Sequence, residues 1–295
     1  MKKILGALLS AFVLTMMLGI TVFAKGTDQP VIALGADLSA EQRATVLNYM
    51  GISEADLVNY QVVTITNADE REYLSDYIDA ELIGTRALSS VVVTPAEAGH
   101  GVVVTTQNIN YCTTDMYRNA LLTAGVKDAD IMVVAPTQLS GTAGLIGAVK
   151  AYEDATGEEI SDAAFDAALD EMITTGDIVQ KSASDEEVEE LIAYIKAKIA
   201  AGECENEDDI RKVIEEGMEK FNVSLTEDEI QKIIDVMMKV NELGLDPNVL
   251  LDQAKDLYDK FGDELLIKVQ DEGFWGGIGN FFSAIADFFA SLFNF

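Results

Sequence analysis

Histidine is almost missing from this chain of 295 residues, with His100 as its single example. A serine or cysteine nucleophile needs a base within hydrogen-bond reach, and no imidazole other than His100 is present to serve. A zinc site with several His or Cys ligands is short of ligands for the same reason. Cysteine is scarce too: Cys112 and Cys204 stand 92 positions apart. Two unpaired thiols are the expectation, although spacing by itself does not forbid a bridge. Positive charge is the third shortage, since 20 Lys and Arg face 51 Asp and Glu, for a formal net charge of −31. That field repels phosphate backbones and anionic lipid, which excludes nucleic-acid binding and disfavours membrane contact.

Familiar chemical motifs are missing as well. The small-residue stretch Ser140-Gly141-Thr142-Ala143-Gly144 lacks the Gly-Lys-Ser/Thr of a phosphate-binding loop, and its spacing is not G-x-G-x-x-G. The acidic run Glu203, Glu205, Glu207, Asp208, Asp209 lacks the twelve-residue EF-hand pattern. It sits where a helix begins, and there the macrodipole already favours negative charge. No metal and no cofactor are expected, and no catalytic residue can be singled out.

What is present sets a destination and an architecture. Met1-Lys2-Lys3, an apolar run from Ile4 to Phe23, and the small-x-small end Val22-Phe23-Ala24 predict a secretory signal over residues 1–24. An uncleaved N-terminal anchor is the alternative. Export to the extracellular space or cell envelope follows in either case. Beyond residue 24, charge and pattern change together. Residues 25–150 hold 15 acidic and 7 basic residues, whereas residues 151–295 hold 36 and 11. Strand and helix signals alternate in the first part, and only helix signals occur in the second. The expected division is an α/β domain over 25–156, an acidic helical domain over 157–272 and an aromatic amphipathic helix over 273–295.

In the α/β part the predicted order is β-α-β-α-β-β-α-β-α, forming a mixed five-stranded sheet with flanking helices and right-handed parallel crossovers. Ser39 with Gln42 and Asn67 with Glu70 read as capping boxes. Ala87–Thr94 and Gly101–Ile109 read as an antiparallel hairpin around the loop 95–100. Ile131–Ala135 is a buried strand, and Ser140 is the expected cap of the helix after it. In the helical part, caps at Ser161, Ser184, Asn206 and Thr226, and Asp246-Pro247, each precede an amphipathic stripe, the pattern of a packed bundle.

Polar residues gather at four strand-to-helix junctions: Asp37 and Ser39; Thr66 and Asn67; Thr114 and Asp115; Ser140, Gly141 and Thr142. Parallel strands would bring all four to the carboxyl edge of the sheet, where open α/β folds bind ligands. Asp37, Thr66, Asn67, Asp115, Ser140, Gly141 and Thr142 are therefore the candidate ligand-binding residues. The same residue types also serve as helix caps.

Val31–Leu38, Gly84–Ser90, Asp115–Leu121 and Ser140–Gly144 together make the chain similar to the YpuA-like proteins, an exported family of Gram-positive, often spore-forming bacteria. The resemblance implies a secreted or envelope-associated location. It carries no established activity and transfers no functional residue.

In the last segment, Phe274, Trp275, Ile278, Phe281, Phe282, Ile285, Phe288, Phe289, Leu292 and Phe293 mark one broad apolar face. Its polar face opposes a membrane span, and the lack of Lys and Arg opposes an interfacial one. Docking on the protein itself, on a second copy or on a protein partner is expected. The leading expectation is thus a non-enzymatic, exported binding or interaction protein. The alternative is an extracellular hydrolase of cell-wall material using Asp37 and Asp115.

Overall fold

The structure is a computed structural model that describes residues 29–78, 83–181 and 185–244. Five strands, β1 (Val31–Gly35), β2 (Gln61–Ile65), β3 (Ser90–Pro95), β4 (Val102–Ile109) and β5 (Ala129–Leu139), form one mixed sheet in the order β2-β1-β3-β5-β4. β1 pairs parallel to β2 and β4 parallel to β5, while β3 lies antiparallel between β1 and β5. Four strands thus run one way and β3 alone runs the other.

The expected β3–β4 hairpin does not form, because β5 lies between them. Burial explains the placement. Ile131, Val133, Val134 and Ala135 are all buried, so β5 presents apolar side chains to both faces and needs cover on both. β4 alternates buried and exposed positions, as suits a strand at the edge. Pro136, inside β5, falls in the irregular stretch where pairing with β4 shifts register, a position that tolerates a residue without an N–H. Asn108 adopts φ 60° there and donates its side-chain amide to Ala135 O at 3.0 Å.

Helices α1 (Ala40–Tyr49), α2 (Asn67–Leu74), α3 (Thr114–Ala124) and α4 (Thr142–Thr156) complete this part. α1 covers one face through Val46 and Leu47 against Ile32, Leu34 and Val134. α3 and α4 pack on the other face, against Val31, Ala33, Val91, Val93, Ile131 and Val133. The β1-α1-β2 and β4-α3-β5 crossovers step the same way across the sheet but pass on opposite faces. They cannot share one hand, so the right-handed expectation holds for only one of them.

Helices α5 (Asp162–Val179), α6 (Asp185–Ala200), α7 (Glu207–Phe221) and α8 (Glu227–Leu243) follow. Ser161, Asn206 and Thr226 occupy the expected N-cap positions. Ser184, the Asp246-Pro247 helix, residues 1–24 and the aromatic segment 273–295 lie outside the described residues. α5 belongs to two cores. Phe165, Leu169 and Met172 join the cluster beneath the sheet, whereas Ala167, Ile178 and Val179 join the cluster of α6, α7 and α8. Each large side chain buried this way contributes about 1.5–3 kcal/mol.

A buried polar network crosses the same junction. Lys196 Nζ on α6 lies 3.1 Å from Glu171 Oε1 on α5 and donates to Asn119 O on α3 at 2.5 Å. Thr123 Oγ1 donates to the other Glu171 oxygen. Burial pulls the Lys196 pKa down, and the Glu171 carboxylate acts against that pull. Among the described residues no helix is long and apolar enough to cross a membrane.

Candidate functional site

β1, β2, β4 and β5 all end at one edge of the sheet, and β3 begins there. A cavity of about 390 Å³ opens at this edge. Three pieces of chain line it: Glu70 and Leu74 from α2, residues 83–89 leading into β3, and residues 139–143 joining β5 to α4.

Each wall is pinned by residues behind it. Gly35 admits the 87–88 backbone, since a Cβ there would stand 2.4 Å from Ala87 O. Asp37 then accepts the Ala87 N–H through Oδ2 at 2.8 Å and donates its own N–H to Ala87 O at 3.1 Å. Arg71 Nη2 donates to Gly84 O at 2.6 Å, and Gly84 adopts the left-handed φ of 78° that a side chain would strain. Arg86 and Ser89 are held at the cavity by these contacts. On the opposite wall, Asn110 N and Cys112 N donate to Leu139 O and Ser140 O at 2.9 and 3.0 Å, and Tyr117 donates its hydroxyl proton to Gly141 O.

The helix starts differ from the sequence reading by one residue, and the difference shapes the site. Thr66, not Asn67, is the N-cap of α2, and Asp69 closes the capping box. Asn67 and Glu70 are thereby released from capping. Asn67 Nδ2 donates to Glu70 Oε2 at 2.7 Å, and Glu70 lies 3% exposed in the cavity wall. Burial raises the Glu70 pKa to about 7, with the charges of Asp37 and Asp69 adding to the rise and the Asn67 bond opposing it. Neighbouring Asp69 goes the other way. Burial would raise it, but the Lys150 ammonium at 2.5 Å and the Thr66 bonds bring it to about 2. At α4, Gly141 rather than Ser140 is the N-cap, with φ 91° and no side-chain cap bond. The first N–H groups of α4, at Thr142 and Ala143, consequently have no cap where they border the cavity.

Of the residues expected at a cleft, Ser140, Gly141 and Thr142 line this cavity. Asp37 supports its wall from behind, Thr66 caps α2, and Asn67 reaches it through Glu70. Asp115 lies in the first turn of α3, where its charge acts on Glu189 of α6. Glu189 accepts the Thr113 hydroxyl proton. Burial first, then Asp115, Asp185 and Glu186, raise its pKa to about 7 against that bond.

Glu70, Arg86 and Ser89 were not anticipated as site residues. Glu70 did leave a signal: it stands at the head of the stripe Tyr73, Leu74, Tyr77, Ile78 and therefore shares the buried face of its helix.

The remaining reactive groups lie elsewhere. His100 Nε2 pairs with Asp130 Oδ1 at 3.0 Å, at the amino end of β4 and β5. Cys112 lies past the other end of β4, whose eight residues span about 26 Å. Cys112 and Cys204 are both unpaired and buried; burial raises both thiols, Cys204 to about 12. Among the described residues no group of three His, Cys, Asp or Glu could hold a metal ion.

The family model described as "Protein of unknown function (DUF1002)" matches residues 34–257. The chain is 38% identical, over its full length and 98% of the relative's, to "Uncharacterized protein YpuA" of Bacillus subtilis (strain 168). No solved structure matches it. With a family match that spans the sheet, the cavity and the helical half, and a relative aligned from end to end, the chain belongs to the DUF1002 family and is YpuA-like throughout.

Proposed function

We propose that this is an exported, envelope-associated or secreted binding protein whose ligand is a small polar molecule held in the carboxyl-edge cavity. The observation that carries the reading is the cavity itself: a concave site with a buried carboxyl, a partly apolar floor of Leu74, Ile83 and Leu88, and hydroxyls from Thr85, Ser89 and Thr142. A binding role fits the disposition of the reactive groups better than catalysis. The imidazole is at the far edge, the thiols are buried and hard to ionise, and Asp37 and Asp115 are engaged away from the cavity. Export rests on the 1–24 segment, and contact with a protein partner or a second copy rests on the aromatic face of 273–295.

The test is a thermal-melt screen of the full exported chain against amino acids, sugars and inorganic phosphate. At least one should raise the Tm, and Ser89→Trp, which fills the cavity mouth, should abolish the rise. A screen without any shift, or a shift that Ser89→Trp leaves intact, removes this reading. Sequencing the N-terminus of protein recovered from the envelope and the medium should begin at Lys25; a chain that stays in the cytoplasm contradicts export.

A further inference from the structure

The cavity has two poles of opposite character. One is the uncapped start of α4, a helix of 15 residues whose first N–H groups, at Thr142 and Ala143, border the cavity. Arg86, exposed at the rim, has no hydrogen bond or ion pair with any described residue, although the chain carries 51 acidic residues. The other pole is Glu70. Its Oε2 accepts from Asn67 at 2.7 Å, and the residue is only 3% exposed in the cavity wall.

We propose that the ligand is a small zwitterion of the α-amino acid class, its carboxylate received by the first N–H groups of α4 and the Arg86 guanidinium, and its ammonium by the Glu70 carboxylate. The proposal rests on the cavity being a binding site and adds what it binds. Simple ions meet only half of the site. A plain anion satisfies α4 and Arg86 but is placed in a cavity shared with Glu70, with Asp37 and Asp69 close behind. A plain cation satisfies Glu70 but leaves the α4 donors and Arg86 unmet. A zwitterion neutralises both poles, and the hydroxyls of Thr85 and Ser89 are placed to accept or donate beside it. At about 390 Å³ the cavity is near the small end of ligand pockets, so a single residue or a dipeptide fits better than a longer peptide.

Binding an ammonium favours ionised Glu70. Since burial holds that carboxyl near pH 7 in the free protein, binding at neutral pH should release a proton.

The experiment is titration calorimetry of the full exported chain with the twenty common amino acids. The best binder is then compared with its deamino and its decarboxylated analogue. Both analogues should bind at least about tenfold more weakly. Glu70→Gln should remove the preference for the amino acid over its deamino analogue, and Arg86→Ala should remove the preference over the decarboxylated one. The heat of binding at pH 7 should change with the ionisation enthalpy of the buffer. If no amino acid binds but phosphate or a sugar does, in a manner blocked by Ser89→Trp, the cavity is a binding site and the zwitterion proposal is wrong. If none of these probes binds, both readings fall. Amino-acid binding unaffected by Glu70→Gln and Arg86→Ala would place the site elsewhere and overturn the proposal.

Discussion

A carboxyl group that keeps its proton at neutral pH costs the folded state stability once that proton is lost. Glu70 is such a group: its pKa stands at about 7 in the folded protein against an ordinary 4.5, chiefly because the carboxyl is buried. The folded state holds the proton more tightly than the unfolded one. The stability Glu70 contributes is therefore fully present below pH 4.5 and is lost as pH rises to about 7. Glu70→Gln fixes the neutral form. It should stabilise the protein at pH 8 by on the order of 2 kcal/mol, and the gain should shrink toward zero near pH 4.5. Urea unfolding across that range checks it. Glu189 is raised to about 7 by the same cause, so the variant should keep part of the pH slope. A flat profile in Glu70→Gln would mean that Glu70 was the sole source.

At the scale of elements, α5 shows how close approach overrides helix propensity. Gly176 is buried in its last turn, and an added Cβ would stand 2.5 Å from the ring carbon and hydroxyl of Tyr111. In an open helix, Gly→Ala stabilises by about 1 kcal/mol. Here the methyl must displace a packed ring whose hydroxyl reaches Ile173 O and Asp177 at 3.4 Å. Overpacking of that kind costs about 1–3 kcal/mol, so Gly176→Ala should lower stability on balance. A Tm above that of the parent would show that Tyr111 gives way freely. The capping shift in α2 belongs to this scale too. Thr66-x-x-Asp69 and Asn67-x-x-Glu70 are both plausible boxes by residue type, and one residue of register decides whether Glu70 caps a helix or enters a cavity.

For the whole molecule, α5 is the shared wall between sheet and helical bundle. Charge and pattern divide the chain near residue 156, yet Phe165, Leu169 and Met172 complete the core beneath the sheet. A fragment of residues 25–156 would expose that core, whereas 25–181 would keep it covered. The longer fragment should melt cooperatively and the shorter should not, as read by circular dichroism. A cooperative melt of 25–156 would show that the sheet and its own helices suffice. The buried Lys196–Glu171 pair strengthens the expectation of a fixed junction, since it ties α3, α5 and α6 through buried groups. A lone buried charge is far costlier than a paired one, so these helices are held in one arrangement.

Among the described residues, the sequence by itself determined the order of elements and several of the helix starts. It did not determine every end: the strand read as Ile131–Ala135 continues through Pro136 to Leu139. Alternation and stripes reflect local periodicity, and Ser39, Ser161, Asn206 and Thr226 cap helices through bonds spanning three residues. The mixed five-stranded sheet was legible for the same reason, as was the carboxyl edge once four strands could be read as parallel. Strand order was another matter. Whether β4 pairs with β3 or with β5 depends on which strand must be covered on both faces, and that is a property of the assembled layers. The site divides in the same way. Ser140, Gly141 and Thr142 were visible as a helix start, a local feature. Glu70 and Arg86 meet them only because Asp37, Gly35 and Arg71 fold the 83–89 segment against α2 and α4, through contacts between residues far apart in the chain.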